Sequence, residues 1–86
     1  MKKGTVVKSI AGHDKGTFYI VIESIGDMAS VCDGKNKTLE KPKKKKLKHL
    51  SQTGEWIDLS LYSPLYDAHI RKELKGLFKK GGCYLG

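Results

Sequence analysis

The chain has 86 residues, 38% of them hydrophobic, and its 17 basic and nine acidic residues give a formal net charge of +8. This length fits one domain with a small core, so we expect no deep cavity for a small-molecule substrate. No run of about 18 apolar residues occurs, which predicts that no helix spans a membrane. No apolar stretch follows the basic start Met1–Gly4, and we expect a cytoplasmic protein.

Cysteine and histidine usage argues against a disulfide framework and against a metal site. Cys32 and Cys83 are the only cysteines, fewer than a small secreted domain usually carries. His13, His49 and His69 are scattered and form no cluster with metal-ligand spacing. We therefore expect two reduced thiols, no bound metal and no cofactor.

Positive charge is concentrated in one segment, Lys41–Lys48, which we call the lysine tract. Six of its eight residues are lysine and none is acidic. Removing these six charges from +8 leaves +2 for the rest of the chain. A local basic stripe is typical of proteins that bind a polyanion. The alternative is a solvated run that only improves solubility.

Short β-prone runs separated by turn residues predict five strands in the first 50 residues. In chain order they are Thr5–Ile10, Thr17–Glu23, Met28–Cys32, Asn36–Glu40 and Lys44–Leu50. The second run does not alternate cleanly between apolar and polar residues, which indicates that both of its faces are covered. We expect its Phe18 and Tyr19 to be core residues rather than platforms for stacked bases.

An extended lysine tract would present its charges in a regular row. If Lys44–Leu50 is a strand, Leu47 faces the core while Lys44, Lys46 and Lys48 share the opposite face. Their ammonium groups would then lie about 7 Å apart. Successive phosphates along a nucleic-acid strand have a similar spacing, so this row could follow a sugar-phosphate backbone.

The last third of the chain predicts one helix. After an expected turn at Ser51–Gly54, an extended segment through Tyr62 is expected to pack on the sheet. Ser63 and Pro64 have the pattern of an N-cap followed by a first helical residue, and Asp67 is an alternative cap. The helix is predicted over about 64–79. Its apolar stripe comprises Tyr66, Ile70, Leu74 and Leu77, with Phe78 beside it.

The segment Ala11-Gly12-His13-Asp14-Lys15-Gly16 between the first two predicted strands resembles the KOW motif. That motif is a strand, a glycine-containing loop and a second strand, and it occurs in ribosomal proteins and transcription elongation factors. Asp33-Gly34-Lys35 and the later Lys41-Pro42-Lys43 extend the resemblance. Together they are similar to eukaryotic and archaeal large-subunit ribosomal proteins and their short bacterial relatives. The resemblance covers residues 4–50.

The order of strands, glycine loop and turns, together with the apolar stripe of the last third, predicts a mainly β fold, in which a five-stranded SH3-like barrel carries a C-terminal amphipathic helix. The expected division is a barrel over residues 1–50, a connecting segment over 51–62, a helix over 63–80 and a flexible tail over 81–86. The basic stripe predicts an RNA-binding protein, which we expect to be a monomer. The resemblance implies a role at the ribosome or in translation, with ribosomal RNA as partner and ribosomal proteins as further partners. Two alternatives remain open, a protein-interaction module and a DNA or transcription-complex binder.

The predicted RNA contacts combine the loop that the motif supplies with the basic residues around it. The predicted set is Lys8, Gly12, His13, Lys15, Gly16, Lys35, Lys43, Lys44, Lys45, Lys46, Lys48 and His49. Gly16 is expected to adopt a positive φ where the chain reverses. Asp14 is expected to cap the loop's own amides rather than touch a phosphate.

No catalytic site is predicted. The segment Gly12–Thr17 lacks the Gly-Lys-Ser/Thr ending of a phosphate-binding P-loop. His13 and Asp14 are sequence neighbours, and neighbours on an extended chain point apart. We therefore expect a binding protein and not an enzyme.

Overall fold

A computed structural model describes the backbone of residues 1–81 and the side chains of residues 1–77. It contains five strands, β1 (Thr5–Ser9), β2 (Phe18–Ile25), β3 (Met28–Cys32), β4 (Lys43–Lys46) and β5 (Leu50–Trp56), and one helix, α1 (Asp67–Gly81). The strands form one antiparallel sheet in the order β4-β3-β2-β1-β5. No helix within residues 1–81 is both long and apolar enough to cross a membrane.

The sheet curls but does not close. A single 3-10 turn, Leu47–His49, joins β4 to β5, which are the two edges of the sheet. The four Cα steps from Lys46 to Leu50 span at most about 15 Å. The edges of a flat five-stranded sheet lie about 19 Å apart, so the sheet must bend at this end. Because β4 and β5 share no ladder, the expected barrel is not confirmed.

Both faces of the sheet are covered, as the mixed pattern of the second predicted strand indicates. On the concave face, Tyr19 and Val21 of β2 pack with Val7, Val31 and other buried residues. On the convex face, Ile20 packs in a separate cluster that includes residues of α1. β2 therefore lies at the centre of two cores, and the prediction of two covered faces is confirmed.

The helix starts later than the sequence predicts. Its first residue is Asp67, and the carbonyl of Tyr66 accepts hydrogen bonds from the amides of His69 and Ile70. Tyr66 therefore precedes the helix, and its side chain is 60% exposed, so its predicted place in the apolar stripe is wrong. Ile70 and Leu74 are buried as predicted. The Phe78 side chain, Cys83 and residues 82–86 of the predicted tail lie outside the described part.

Two further predictions are wrong, and both errors come from turn residues. No strand forms at Asn36–Glu40, because Asp33 accepts hydrogen bonds from the amides of Lys35 and Lys37 and holds this segment in a loop. Ser51–Gly54 is not a turn but part of β5. Gly54 has φ of 90°, and the pairing of β5 with β1 shifts register in this region, as expected for a glycine at a β-bulge.

Candidate nucleic-acid interface

The segment Gly12–Gly16, which we call the glycine loop, is a compact turn between β1 and β2. Gly16 has φ of 96°, a conformation that side chains rarely adopt, so the expectation of a positive φ is confirmed. The Gly16 amide donates to the carbonyl of Ser9 at 2.8 Å, and the Thr17 amide donates to the carbonyl of Asp14 at 2.9 Å. Backbone hydrogen bonds therefore fix the return of the chain.

The side chain of Asp14 connects the glycine loop to three strands of the sheet. Its carboxylate accepts hydrogen bonds from Lys45 Nζ at 2.7 Å, Tyr19 Oη at 2.7 Å and Ser9 Oγ at 3.0 Å. The expectation that Asp14 caps the loop's own amides is therefore wrong. The loop amides bond to backbone carbonyls instead, which leaves the carboxylate for side chains of three different strands.

The electrostatics of this cluster fix its charge states. Burial alone would raise the pKa of Asp14, but the hydrogen bonds from Lys45, Tyr19 and Ser9 and the charge of Lys45 hold it well below its ordinary value. Burial raises the pKa of Tyr19, and its hydrogen bond to Asp14 raises it further. At neutral pH the cluster therefore contains an ionised carboxylate and a neutral phenol.

Lys45 lies inside the protein. Only 7% of its side chain is exposed, and besides Asp14 its ammonium donates to Ser9 Oγ at 2.9 Å and to the Ala11 carbonyl at 3.0 Å. Three oxygens therefore use the three donors of the ammonium group. We replace the predicted RNA contact of Lys45 with a structural role, because its charge does not reach the surface.

Strand geometry divides the lysine tract between the two faces of the sheet. In β4, Lys45 pairs with the buried Ala29 on the concave side, while Lys44 and Lys46 are exposed on the other side. The strand ends at Lys46, and Lys48 lies in the 3-10 turn. The predicted straight row of three ammonium groups is therefore wrong for Lys48, because the chain bends before it.

Lys43 is intermediate in exposure between the buried Lys45 and the exposed Lys44. It shares the concave side with Lys45, and its Nζ lies 4.0 Å from Asp14. More than a third of the Lys43 side chain is exposed to solvent. Lys45 lies much closer to the Asp14 carboxylate, with its Nζ 2.7 Å from Oδ1. Lys43 therefore remains available for an external anion.

The glycine loop and the lysine tract are neighbours in space. The Asp14–Lys45 ion pair joins the loop to β4, and the Ile10 amide donates to the carbonyl of His49 at 3.0 Å. His49 is half-buried in the 3-10 turn, and the predicted loop contacts are exposed. These exposed residues are Gly12, His13, Lys15 and Gly16. The two predicted binding segments are therefore adjacent, although Lys44 and Lys46 point to the side of β4 opposite Lys45.

The remaining predicted contacts lie on the other side of the glycine loop. Lys8 is exposed, and its ammonium lies 5.6 Å from the centre of the half-buried Phe18 ring. Lys35 is also exposed and lines a cleft of about 860 Å³ between the loop end, Gly16–Phe18, and α1. The loop therefore has lysines on both flanks.

Trp56, an exposed aromatic residue of β5, lies far from this region. It pairs with Thr5 at the start of β1, whereas the glycine loop follows the end of β1. Trp56 is 46% exposed, its Nε1 donates to the Lys3 carbonyl at 2.8 Å, and the Lys2 ammonium lies 4.3 Å above its ring. Tyr19 is buried, as predicted.

Sequence reasoning missed two groups of residues. The first is the set of partners of Asp14. Lys45 is two residues from Leu47, which was predicted to face inward, so on a strand both side chains would face the same side. The second is the basic face of α1 at the cleft, formed by Arg71, Lys72 and Lys75. Their spacing on one helical face was visible in the sequence.

No protein-family model matches the chain, and no curated protein matches it either. The resemblance to KOW proteins therefore stays a prediction from the sequence.

Proposed function

We propose that the protein binds structured RNA through the glycine loop and the exposed lysines beside it, as an SH3-like domain of the KOW type. Ribosomal RNA is the proposed partner, and a ribosome- or translation-associated role follows from the resemblance. The proposed contacts keep the predicted set except Lys45. The observation that carries the proposal is the Asp14–Lys45 pair, because it fixes an exposed glycine loop against a strand that carries exposed lysines.

The residue types suggest how such binding would work. Lysine is a flexible point charge that suits phosphate and lacks the bidentate fork with which arginine reads base edges. Lys44, Lys46 and Lys48 would therefore supply affinity and little sequence specificity. A rigid loop with exposed glycines allows an RNA backbone to approach closely. Recognition would then depend on the shape of the RNA more than on its sequence.

The test is a titration of the protein with a labelled RNA stem-loop and with the DNA stem-loop of the same sequence, at three salt concentrations. We expect tighter binding to RNA and an affinity that falls steeply with salt. Equal binding of DNA and RNA would instead support the DNA-binding alternative. No binding to either would contradict the proposal and favour a protein-interaction module.

The proposed association with the ribosome is tested by a separate measurement. Cell lysate is separated on a sucrose gradient at low salt, and the protein is detected in each fraction. We expect it in a ribosomal fraction, from which high salt should release it. Absence from every ribosomal fraction at low salt would contradict the ribosomal role and leave the RNA-binding proposal to the titration.

A further inference from the structure

The cleft between the end of the glycine loop and α1, which we call the helix cleft, has the features of a binding site. One wall is Gly16–Phe18, and the other is formed by α1. Its volume of about 860 Å³ falls in the range of ligand sites in proteins. Because Gly16 belongs both to this wall and to the glycine loop, the helix cleft adjoins the proposed RNA-binding region.

Hydrogen bonds fix α1 to the loop that follows β3. The Leu39 amide donates to the Asp67 carboxylate at 2.8 Å. The Nη1 of Arg71 donates to the carbonyl of Gly34 at 2.6 Å. Gly34 has φ of 78°, and a Cβ at this position would lie only 2.6 Å from the Asp67 carbonyl oxygen, so the loop packs directly on the helix. The site is therefore formed before a ligand binds, which lowers the cost of binding.

The helix cleft is positively charged. It is lined by four cations, Lys35, Arg71, Lys72 and Lys75. The ion pairs among the described side chains are both made by Asp14, so they leave these four cations unpaired. Among the described lining residues Asp33 is the one carboxylate, and its Oδ1 already accepts two backbone amides of the neighbouring turn. This excess of positive charge favours an anionic occupant.

Exposed lysines of the sheet lie on the same side of the molecule as the helix cleft. Lys45 faces the concave side, so Lys44 and Lys46 project from the convex side, on which α1 packs. Lys8 also belongs to the convex side, because it pairs with Phe18, which packs against the cluster that contains residues of α1. An anionic strand that contacts these lysines therefore passes on the side of the helix cleft.

The charged groups of the lining decide the occupant, because the Phe18 ring packs against the core next to the Lys8 ammonium. Lys72 and Lys75 are three residues apart on α1, and side chains at this spacing lie about 5–6 Å apart. A nucleic-acid strand carries one negative charge per nucleotide, so a short stretch of it can engage several of the four cations. A peptide would need a run of acidic residues to do the same. The Arg71 guanidinium keeps further N–H donors, and its fork suits a phosphate.

We propose that the helix cleft binds about two or three successive phosphates of the RNA backbone, with Arg71 as the fixed donor among three lysines. This inference rests on the proposed function and extends its binding surface from the glycine loop across the basic face of α1. The RNA would pass over Gly16, where apart from its chain neighbours no heavy atom lies within 4 Å of the position of a Cβ. This open space allows a strand to approach the loop backbone closely.

The first test adds a negative charge to the helix cleft. Ala68 lines the cleft and is exposed in the first turn of α1, where a carboxylate is compatible with the helix. Ala68→Glu is compared with Ala68→Gln, which adds the same bulk without charge. Gln52→Glu adds the same charge at an exposed position of β5 that does not line the cleft. We expect Ala68→Glu to bind the RNA stem-loop about tenfold more weakly than Ala68→Gln, and Gln52→Glu to leave the affinity unchanged.

The second test removes positive charge from the helix cleft. The double variant Lys72→Gln/Lys75→Gln is compared with Lys2→Gln/Lys3→Gln, which removes the same charge near the other end of β1. We expect the first pair to flatten the salt dependence of stem-loop binding by about 1.5 log units and the second pair to leave it unchanged.

Amide chemical shifts, recorded while the RNA stem-loop is added, locate the contact and distinguish the sources of negative charge. We expect the amides of Arg71, Lys72 and Lys75 to shift together with those of the glycine loop. Hexaglutamate and inorganic pyrophosphate are titrated in the same way. Shifts of the α1 amides by hexaglutamate at lower concentration than by RNA would overturn the inference in favour of an acidic protein segment. The same result with pyrophosphate would overturn it in favour of a free phosphate compound.

The outcomes separate this inference from the proposed function. If the wild type does not bind the stem-loop, the proposed function fails and the inference fails with it. If the wild type binds the stem-loop while Ala68→Glu behaves like Ala68→Gln and the α1 amides do not shift, RNA binding stands and the inference about the helix cleft is overturned.

Discussion

Lys45 and its neighbours Lys44 and Lys46 are identical in residue type and adjacent in one strand, yet they lie in opposite environments. Lys45 is buried and donates to three oxygens beneath the glycine loop. Lys44 and Lys46 are exposed on the other side of β4. The difference follows from strand alternation together with one carboxylate, Asp14, placed where the inward lysine can reach it.

This comparison changes how a run of lysines should be interpreted. A continuous tract in sequence is not a continuous surface once it forms a strand, because alternate side chains point to opposite faces. In this protein the inward Lys45 stabilises the loop, and the outward Lys44 and Lys46 are available for a partner. The proposed binding surface therefore depends on a lysine that does not belong to it.

The largest expected effect comes from removing the inward charge. Lys45→Met keeps an unbranched side chain of similar length but leaves the Asp14 carboxylate, which is only 15% exposed, without its closest cation. We expect it to lower the free energy of unfolding by about 3 kcal/mol, measured by urea denaturation at pH 7. The matched variant Lys44→Met should change it by less than about 0.5 kcal/mol. Equal effects of the two variants would mean that the two lysines do not differ in environment.

The second effect is a pH dependence specific to Asp14. Because its pKa is depressed in the folded state, its contribution to stability is present above the ordinary aspartate pKa of about 4. That contribution is lost as pH falls below this value toward the folded-state pKa. The stability advantage of the wild type over Asp14→Asn should therefore shrink by about 1.4 kcal/mol per pH unit below pH 4.

Urea unfolding of both proteins at pH 7, 5, 4 and 3 measures this difference. The other carboxyl groups are common to both proteins, so subtracting the two curves isolates position 14. An advantage that is independent of pH would mean that the Asp14 carboxylate is not held by cations and hydrogen bonds in the folded state.

The predictability of the fold differed between regions for physical reasons. The first three strands and the covered β2 could be predicted because β-branched runs between turn residues are local signals. The extent of β5 could not be predicted, because a glycine such as Gly54 usually indicates a turn. Only the pairing of β5 with β1 shows that Gly54 lies at a bulge within the strand. The helix stripe was predicted apart from Tyr66, since the start of the helix depends on which carbonyl accepts the first bonds.

The candidate site was predictable only in part. The glycine loop and its positive φ at Gly16 follow from local backbone chemistry. The pairing of Asp14 with Lys45 is a contact across 31 residues, and no local pattern specifies such a distance. The cleft between Gly16–Phe18 and α1 likewise forms only when α1 packs against the sheet, so Arg71 and Lys72 could not be connected with the loop beforehand.

A smaller effect is expected from the outward half of the lysine tract, and it concerns binding rather than stability. Changing Lys44, Lys46 and Lys48 together to glutamine removes three phosphate contacts without disturbing buried groups. The salt slope of binding to single-stranded RNA should flatten by about two log units, while the unfolding curve stays the same. Anisotropy titrations at three salt concentrations measure the slope. An unchanged slope and affinity would mean that the tract only improves solubility.

The smallest effect tests whether position matters as well as charge. Lys15 lies in the glycine loop, and Lys2 lies near the other end of β1 with its ammonium over Trp56. The two ends of this strand are about 13 Å apart, beyond the screening length of about 8 Å at physiological salt. Lys15→Gln should therefore weaken RNA binding several-fold more than Lys2→Gln, although both remove one charge.

Direct titration of the two variants with the same RNA stem-loop at 0.15 M salt measures the difference. Equal losses would mean that the protein acts as a diffuse cation without a defined binding face, whereas a loss confined to Lys15→Gln would support the glycine loop as part of that face.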